Sequence, residues 1–357
     1  MTISYPSIAL VAASMRTLGG QGVQASMLAH ELRDEGYPVM FLPIDPGFPS
    51  AARWIRRFPG ARTVLNQALY LPSLLGLRQS RVVHVFAASH WSFLISPVPA
   101  MLAARGLGKR VILHYHSGEA EQHLARSGRG TRMLMGLADE IVVPSEFLRD
   151  VFARHGYRVL VIPNIVDLTR FRFRERVPLR PRLLSTRNLE PLYGVDMTLR
   201  SFSVIRARFP EATLTIAGTG SQDSALRRLA ARIGEGGIRF AGRIEPDEMT
   251  RLFDDHDIFV NSSLVDNQPV SILEAFSAGT PVVSTAAGGI PAMVRDGDTG
   301  LLLPERDPES MADAVSSLLE NPALARHIAR RALEAAAEHV WLRVRDRWAA
   351  VYSGVSS

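Results

Sequence analysis

Cysteine is absent from the 357-residue chain. That absence excludes disulfides, zinc–thiolate centres and thiol nucleophiles, and it fits a reducing, cytoplasmic setting. Lysine is nearly absent too: Lys109 is the sole lysine, so 40 of the 41 basic residues are arginine. An arginine excess of this kind reflects genome composition more often than function. The net charge of +6 suits nucleic acid, anionic lipid or nucleotide phosphates as partners. No nucleic-acid motif and no array of basic and aromatic residues occurs, so nucleic acid ranks last. A long apolar run is also missing. The longest weakly charged stretch, Ala87 to Ala104, contains His90, three serines, Pro97 and Pro99, which argues against a transmembrane span. The start, Met1-Thr-Ile-Ser-Tyr-Pro-Ser7, has no basic region and runs directly into an apolar strand, so no secretory signal is expected.

What is present is alternation. Ile8–Ala12, Val39–Leu42, Val82–Phe86, Arg110–His114, Ile141–Pro144 and Val159–Pro163 read as short apolar strands, with helices over Val23–Glu35 and Ser145–His155. Short apolar strands separated by helices predict a parallel sheet covered on both faces. Arg170 to Pro181 is basic, contains two prolines and shows no buried pattern, so it reads as an interdomain linker. The second half repeats the architecture. Strands are expected at Leu183–Ser185, Leu214–Ala217, Ile238–Ala241, Ile258–Asn261, Pro281–Ser284 and Gly300–Leu303, and helices at Val195–Phe209, Ala225–Ile233, Asp247–Asp254, Pro269–Ala278 and from Pro308. Leu333 to Tyr352, with Trp341 and Trp348, reads as one closing helix. The fold class is therefore α/β, with two Rossmann-like domains and a ligand expected in a cleft between the facing strand C-termini.

The most informative stretch runs from Asp266 to Pro291. Pro269 fits the first turn of a helix, Gly279 its end, and Pro281-Val-Val-Ser the next strand. Asp266 then precedes a helix N-terminus. Glu274 lies about two turns in on the inner side, inside an apolar run where an unpaired charge is costly. Free backbone N–H groups and the positive dipole end face the same place, which suits a phosphate-bearing ligand. A Gly-Gly turn, Gly288-Gly289, follows one strand later.

This pattern resembles the C-terminal domain of family 4 glycosyltransferases (glycosyl transferases group 1), retaining enzymes of GT-B fold that use nucleotide sugars. The resemblance covers nearly the whole chain. It implies an acceptor-binding domain over residues 1–175, a nucleotide-sugar-binding domain over 176–335, and a helix over 336–357 that crosses back onto the first domain. It implies a hexosyltransferase-type, metal-independent enzyme that moves a sugar from a nucleoside diphosphate donor to a hydroxyl acceptor. The acceptor would be a glycan, a lipid-linked species or a small molecule, in glycan, polysaccharide or glycolipid synthesis. No cofactor beyond the donor substrate is implied, and no metal.

The resemblance also assigns roles. Glu274 would hold the ribose hydroxyls, and Asp266 with the amides of Asn267, Gln268 and Val270 the sugar. The family usually has Glu where Asp266 stands. Arg187, in Ser185-Thr-Arg187-Asn188-Leu-Glu190-Pro-Leu-Tyr193-Gly194, would stabilise the departing diphosphate, with Asn188 beside it. The position before Gly194, where the family carries a second clamping lysine, holds Tyr193. That departure leaves Arg187 to act with another arginine such as Arg243, next to Ile244. The turn Gly218-Thr-Gly220 after a strand is expected at the donor. His116, in His114-Tyr-His116-Ser-Gly-Glu119, and the loop Gly19-Gly20 would reach across from the first domain. Ser145-Glu-Phe-Leu and Ile162-Pro-Asn164 match the end of that domain, with Asn164 expected to satisfy backbone groups at the hinge.

Other readings stand beside this one. Asp45 ends the second strand, where a dehydrogenase would hold ribose, but the chain lacks the G-x-G-x-x-G turn. A pyridoxal-dependent phosphorylase would need a lysine, and Lys109 is the one candidate. Asp255-His-Asp257 and Asp296-Gly-Asp298 could hold a cation but read as helix-end and turn punctuation. Two readings are open for Ala51–Phe58 and Leu65–Leu77, rich in arginine and apolar residues with Trp54. One is a solvated helix; the other is a basic amphipathic segment on anionic lipid at the inner membrane face. The competing function is a non-catalytic GT-B protein that binds a nucleotide sugar or glycan.

Overall fold

The computed structural model describes residues 5–15, 19–126, 128–234, 236–304 and 306–354. The chain forms two compact units, Met1–Ile165 with Val344–Ser357, and Val166–Arg343.

The first unit holds a six-stranded sheet: β1 (Ile8–Ala12), β2 (Val39–Pro43), β3 (Val82–Ala87), β4 (Arg110–Tyr115), β5 (Glu140–Val143) and β6 (Leu160–Val161). All pairs are parallel, in the order β2-β1-β3-β4-β5-β6. β1 and β3 are buried along their whole length, as continuous apolar strands must be when helices cover both faces. Val83, Val85, Val111 and Leu113 share a core with Phe93, Met101 and Phe152. The first helix, Gly20–Asp34, begins three residues before the sequence expectation because Gly19 and Gly20 already enter it. Ser145 caps the helix Glu146–Arg154, its Oγ accepting from Leu148 N–H at 3.2 Å. The backbone at Ile165 is held by Gln24, which donates to the Ile165 carbonyl (2.7 Å) and accepts its N–H (2.8 Å). Asn164, to which the sequence reading gives such a duty, is buried next to it.

The second unit holds β7 (Arg182–Ser185), β8 (Thr213–Ala217), β9 (Ile238–Gly242), β10 (Ile258–Asn261), β11 (Val282–Thr285) and β12 (Leu301–Leu303), in the order β12-β11-β10-β7-β8-β9. The chain runs outward from β7 to β9, then returns to the other side of β7 to lay down β10. Between β7 and β10 the winding direction reverses. At such a switch point the loops after the two strands part and leave a crevice at their carboxyl ends.

Two segments depart from expectation. Arg170 to Pro181 is not a bare linker: Phe171, Arg176 and Leu179 are buried. The Arg176 guanidinium donates to the carbonyls of Phe253 (2.8 Å), His256 (2.9 Å) and Ala278 (2.6 Å), so one side chain closes the ends of two helices. Composition alone hides this, because a buried arginine spelled among exposed ones looks like a charge run. The closing helix is broken into Pro322–Ala336, a 3₁₀ turn at Ala337–His339, and Trp341–Ser353. Val166 N–H donates to the His339 carbonyl (2.8 Å), an oxygen that an unbroken helix would keep for Arg343.

Candidate active site

The switch point of the second unit gathers four of the side chains singled out by sequence. β7 ends at Ser185, and Arg187 follows two residues later, nine-tenths buried. β10 ends at Asn261, and the loop after it carries Asp266, also about nine-tenths buried. Arg187 Nη2 is ion-paired with the Asp266 carboxylate, and Nη1 lies 3.1 Å from Ser271 Oγ. The guanidinium carbon stands 4.3 Å from the ring centroid of Tyr193. Burying a guanidinium is costly unless its charge is paired and its N–H groups are met. Here a carboxylate, a hydroxyl and an aromatic face share that task.

A polar network beneath the site sets the loop. Asn261 donates to Ser284 Oγ (2.9 Å), Ser263 Oγ lies 2.8 Å from Asn261 Oδ1 and 3.2 Å from Asp266 Oδ2, and Thr285 Oγ1 donates to the Ser263 carbonyl (2.7 Å). Asn267 N–H closes back on Asp266 Oδ1 at 2.9 Å. Glycine is required beside this loop. A Cβ on Gly288, which has φ +58°, would collide with the Asp266 carbonyl oxygen, and one on Gly289 with that of Asn267. Gly218 and Gly220 do the same for the backbone of Arg187 and Leu189. The two glycine turns after β8 and β11 thus serve as close-packed walls for the loops that carry Arg187 and Asp266.

The helix Val270–Ala278 begins at the same place. Pro269 is its N-cap rather than a first-turn residue, and Gly279 ends it in the left-handed conformation (φ 68°) as expected. The first N–H groups of a helix have no intrahelical acceptor, so the site faces a positive dipole end. Glu274 lies three residues after Ser271 and shares its helix face. It makes no hydrogen bond or ion pair within the described residues. Burial raises its pKa to about 7, and Arg170 is the charge that opposes the rise. A half-buried carboxylate without a hydrogen-bond partner among the described residues, at the edge of a crevice, is a candidate ligand-binding group. Asn188, Asn267 and Gln268 lie in the loops just described and Val270 opens the helix, the last three buried or nearly so. Arg243 pairs with Glu245 (2.7 Å) at the start of the next helix, and Ile244 packs on the core. Sequence reasoning missed Ser271 and Ser263, because single serines in an apolar run carry no pattern.

The first unit holds the other expected residues. Gly19 and Gly20 form an exposed turn into the first helix. His116 follows β4, half-buried, and stacks on Phe86 (5.1 Å), with the His114 ring tilted against it at 4.1 Å. His84 Nδ1 meets Tyr352 Oη (2.8 Å), and its Nε2 lies 3.2 Å from His114 Nδ1. The Nε2 atoms of His114 and His116 have no hydrogen-bond partner among the described residues. Burial holds His84 and His116 down to about 3 and His114 well below the ordinary range. All three are neutral at pH 7. Asp45 accepts from Ser14 N–H (2.7 Å) and Oγ (2.8 Å), which ties β2 to the loop after β1.

The Asp-x-Asp pairs are engaged by arginine. Asp257 is buried and accepts three hydrogen bonds from Arg180, at 2.8, 2.9 and 2.8 Å. Asp298 pairs with Arg295 (2.8 Å) and Arg331 (2.9 Å), hydrogen bonds that pull its pKa down to about 2.

A doubly wound second unit, with an arginine–carboxylate pair and an inner glutamate at its switch point, is the arrangement that the resemblance to glycosyltransferases leads one to expect. Comparison with known proteins agrees. The model for Glycosyltransferase Family 4 matches residues 18–170, and the model for Glycosyl transferases group 1 matches residues 180–321. The chain is 32% identical over 283 residues to D-inositol 3-phosphate glycosyltransferase 2 of Catenulispora acidiphila, covering 72% of this chain and 65% of that protein. It is 31% identical over 253 residues to the glycogen synthase of Mycobacterium tuberculosis, covering 66% of this chain and 59% of that one. Among solved structures it is similar to sucrose-phosphate synthase of Thermosynechococcus elongatus (TM-score 0.76, 18% identity, 98% of this chain and 99% of the other). It is also similar to Anabaena HepE in complex with UDP and glucose (TM-score 0.74, 17% identity, 98% and 100%). The chain belongs to the family 4, group 1 glycosyltransferases, and its fold is GT-B, with two Rossmann-like domains. It spans about six-tenths of the length of the curated relatives named here.

Proposed function

We propose that the protein is a retaining, metal-independent glycosyltransferase that moves a hexose from a nucleoside diphosphate sugar to a hydroxyl acceptor. The observation that carries this reading is Glu274: a half-buried carboxylate with no hydrogen bond or ion pair among the described residues, on the same helix face as the serine that holds Arg187. A vicinal diol such as ribose offers such a group two O–H donors, and hydrogen bonds to a charged acceptor are the strong ones. Arg187 and the amides at the start of the helix Val270–Ala278 would take the diphosphate, with Asp266 and the loop through Gln268 on the sugar. In the reaction the bond from the sugar C1 to the phosphate oxygen breaks, and the electron pair leaves on the diphosphate. The acceptor oxygen bonds to C1 from the same face and passes its proton to the departing phosphate. Positive groups fixed where that charge develops lower the barrier. His116 and the Gly19-Gly20 turn keep the sugar-contacting role that the resemblance gives them, to be judged by substitution.

The test is a thermal-shift panel of nucleoside diphosphates and their sugars, since a ligand of the folded state raises its melting temperature. A rise with one diphosphate that Glu274→Gln removes supports the reading; no rise with any overturns it. Donor hydrolysis without acceptor separates an enzyme from a non-catalytic binder.

Peripheral membrane contact is a second element of the proposal. Trp54 is 62% and Phe58 55% exposed, their rings edge to face at 6.1 Å, and Leu71 and Leu75 are exposed further along with Arg57 and Arg62. Among the described residues no helix is long and apolar enough to cross a membrane. Flotation with anionic but not neutral vesicles at low salt supports the contact, and equal recovery in the soluble fraction removes it.

A further inference from the structure

Tyr193 stands where the resemblance calls for a lysine, and the structure gives it a different use. The short turn Pro191–Tyr193 is tied to the loop after β10. Leu264 N–H donates to the Leu192 carbonyl (2.8 Å), and Ser262 Oγ donates to the Gly194 carbonyl (2.8 Å) and lies 3.2 Å from that of Tyr193. Thr198 Oγ1 in turn lies 2.7 Å from Ser262 Oγ. The backbone around Tyr193 is thereby fixed before any ligand arrives. Its ring lies under Arg187, with the guanidinium carbon 4.3 Å from the ring centroid, well inside the range of a cation–π contact.

The groups around Arg187 divide by direction. Ser271 meets Nη1 and Asp266 meets Nη2, both at the edge of the guanidinium, while Tyr193 takes one face. A planar cation held on one face and at two edge positions cannot swing. Nε–H is buried and has no hydrogen-bond partner among the described residues. A guanidinium has five N–H groups, and each Nη keeps one beyond those just described. The arginine is aimed as well as charged.

We infer that Tyr193 is a positioning residue, an inference that rests on the donor-site reading above. It acts through Arg187, its ring serving as the platform that fixes the guanidinium for a diphosphate, and its hydroxyl is not the group that the phosphate uses. A long arginine side chain that grips a leaving group loses rotamer freedom at the moment of reaction; a platform transfers that loss to folding. The single aimed cation then stands in for two less constrained ones. A lysine at residue 193 would remove the platform and set a second cation beside the first.

The test compares Tyr193→Phe, Tyr193→Leu and Tyr193→Lys by steady-state kinetics and by binding of UDP and GDP. The platform predicts that Phe stays within about threefold of wild type in kcat, while Leu and Lys fall by about tenfold, the scale of a partly buried cation–π contact. KM should move less than kcat. Tyr193→Phe falling as far as Tyr193→Leu would show that the hydroxyl acts directly on the ligand. Tyr193→Lys equal to or faster than wild type would make the position a charge site. Either result overturns the inference. Failure of both UDP and GDP to bind wild type would count against the donor-site reading instead. Ligand-free crystal structures decide the platform in that case: Arg187 in place with Phe and displaced with Leu supports it, and Arg187 unmoved with Leu overturns it.

Discussion

The carboxyl ends of the two sheets are furnished in opposite ways. In the first unit His84 within β3, His114 near the end of β4 and His116 just after it are imidazoles packed among the rings of Phe86, Trp348 and Tyr352. Burial keeps them neutral. In the second unit the same edge carries charge: Arg187 against Asp266, with Glu274 uncommitted. The difference teaches how a two-unit fold divides its work. In the proposed reading the neutral edge meets the uncharged sugar ring. In the same reading the charged edge, with its open N–H groups, takes the phosphate. A switch point alone therefore does not define a donor site; what stands at it does.

The sharpest way to break this comparison is to remove the charge. Arg187→Ala should lower turnover by roughly two to three orders of magnitude, the scale of losing one preorganised stabilising donor, and should lower diphosphate affinity less. Near-normal kcat in this variant would place the clamp elsewhere, with Arg243 the next residue to replace.

A second prediction separates the units by pH. A buried histidine held below its ordinary pKa binds fewer protons in the folded state, so stability is full above pH 6.5 and is lost as pH falls toward 3. For His84, lowered to about 3, the cost reaches about 2 kcal/mol at pH 5. Thermal melts should fall between pH 6.5 and pH 4, with a shallower slope in His84→Gln. Equal slopes would show that His84 does not carry the effect. Glu274 acts in the other direction. Its raised pKa gives stability that is present below the ordinary glutamate range and is lost as pH rises through about 7.

A smaller effect is expected at the glycine wall. Gly288→Ala forces a side chain into a left-handed conformation against the Asp266 carbonyl and should cost about 1–3 kcal/mol. Donor affinity should fall with it, because the loop through Asp266 must shift. A melting temperature equal to wild type would show that the wall yields.

Much of this was legible in the sequence, for physical reasons. Buried parallel strands must be apolar throughout, so most strand ends fell within a residue or two of expectation. β6 was overestimated because Val159–Pro163 is apolar but only Leu160–Val161 pairs. Glu274 was visible because a charge inside an apolar run is costly and therefore meaningful, and Asp266 because it precedes a helix N-terminus; Arg187 was visible only through the family resemblance. What stayed hidden were contacts made across sequence. Arg176 looked like one more linker charge, the closing helix looked continuous, and Tyr193 looked like a loss of charge rather than a platform for Arg187. None of these is a property of a residue and its neighbours in the chain. Each depends on a partner 77 to 173 positions away or on a ring turned toward a cation.

The most direct measurement is calorimetric binding of the diphosphate selected by thermal shift, to wild type and Glu274→Gln, between pH 6 and pH 8. Ribose binding to an ionised Glu274 requires the proton to leave, so wild-type affinity should rise through about pH 7 beyond the rise due to the diphosphate itself. Glu274→Gln should bind more weakly at pH 8 by about 2 kcal/mol, and the excess pH dependence should vanish. Equal affinities and parallel pH profiles for the two proteins would contradict the account, because Glu274 would then lie outside the ligand.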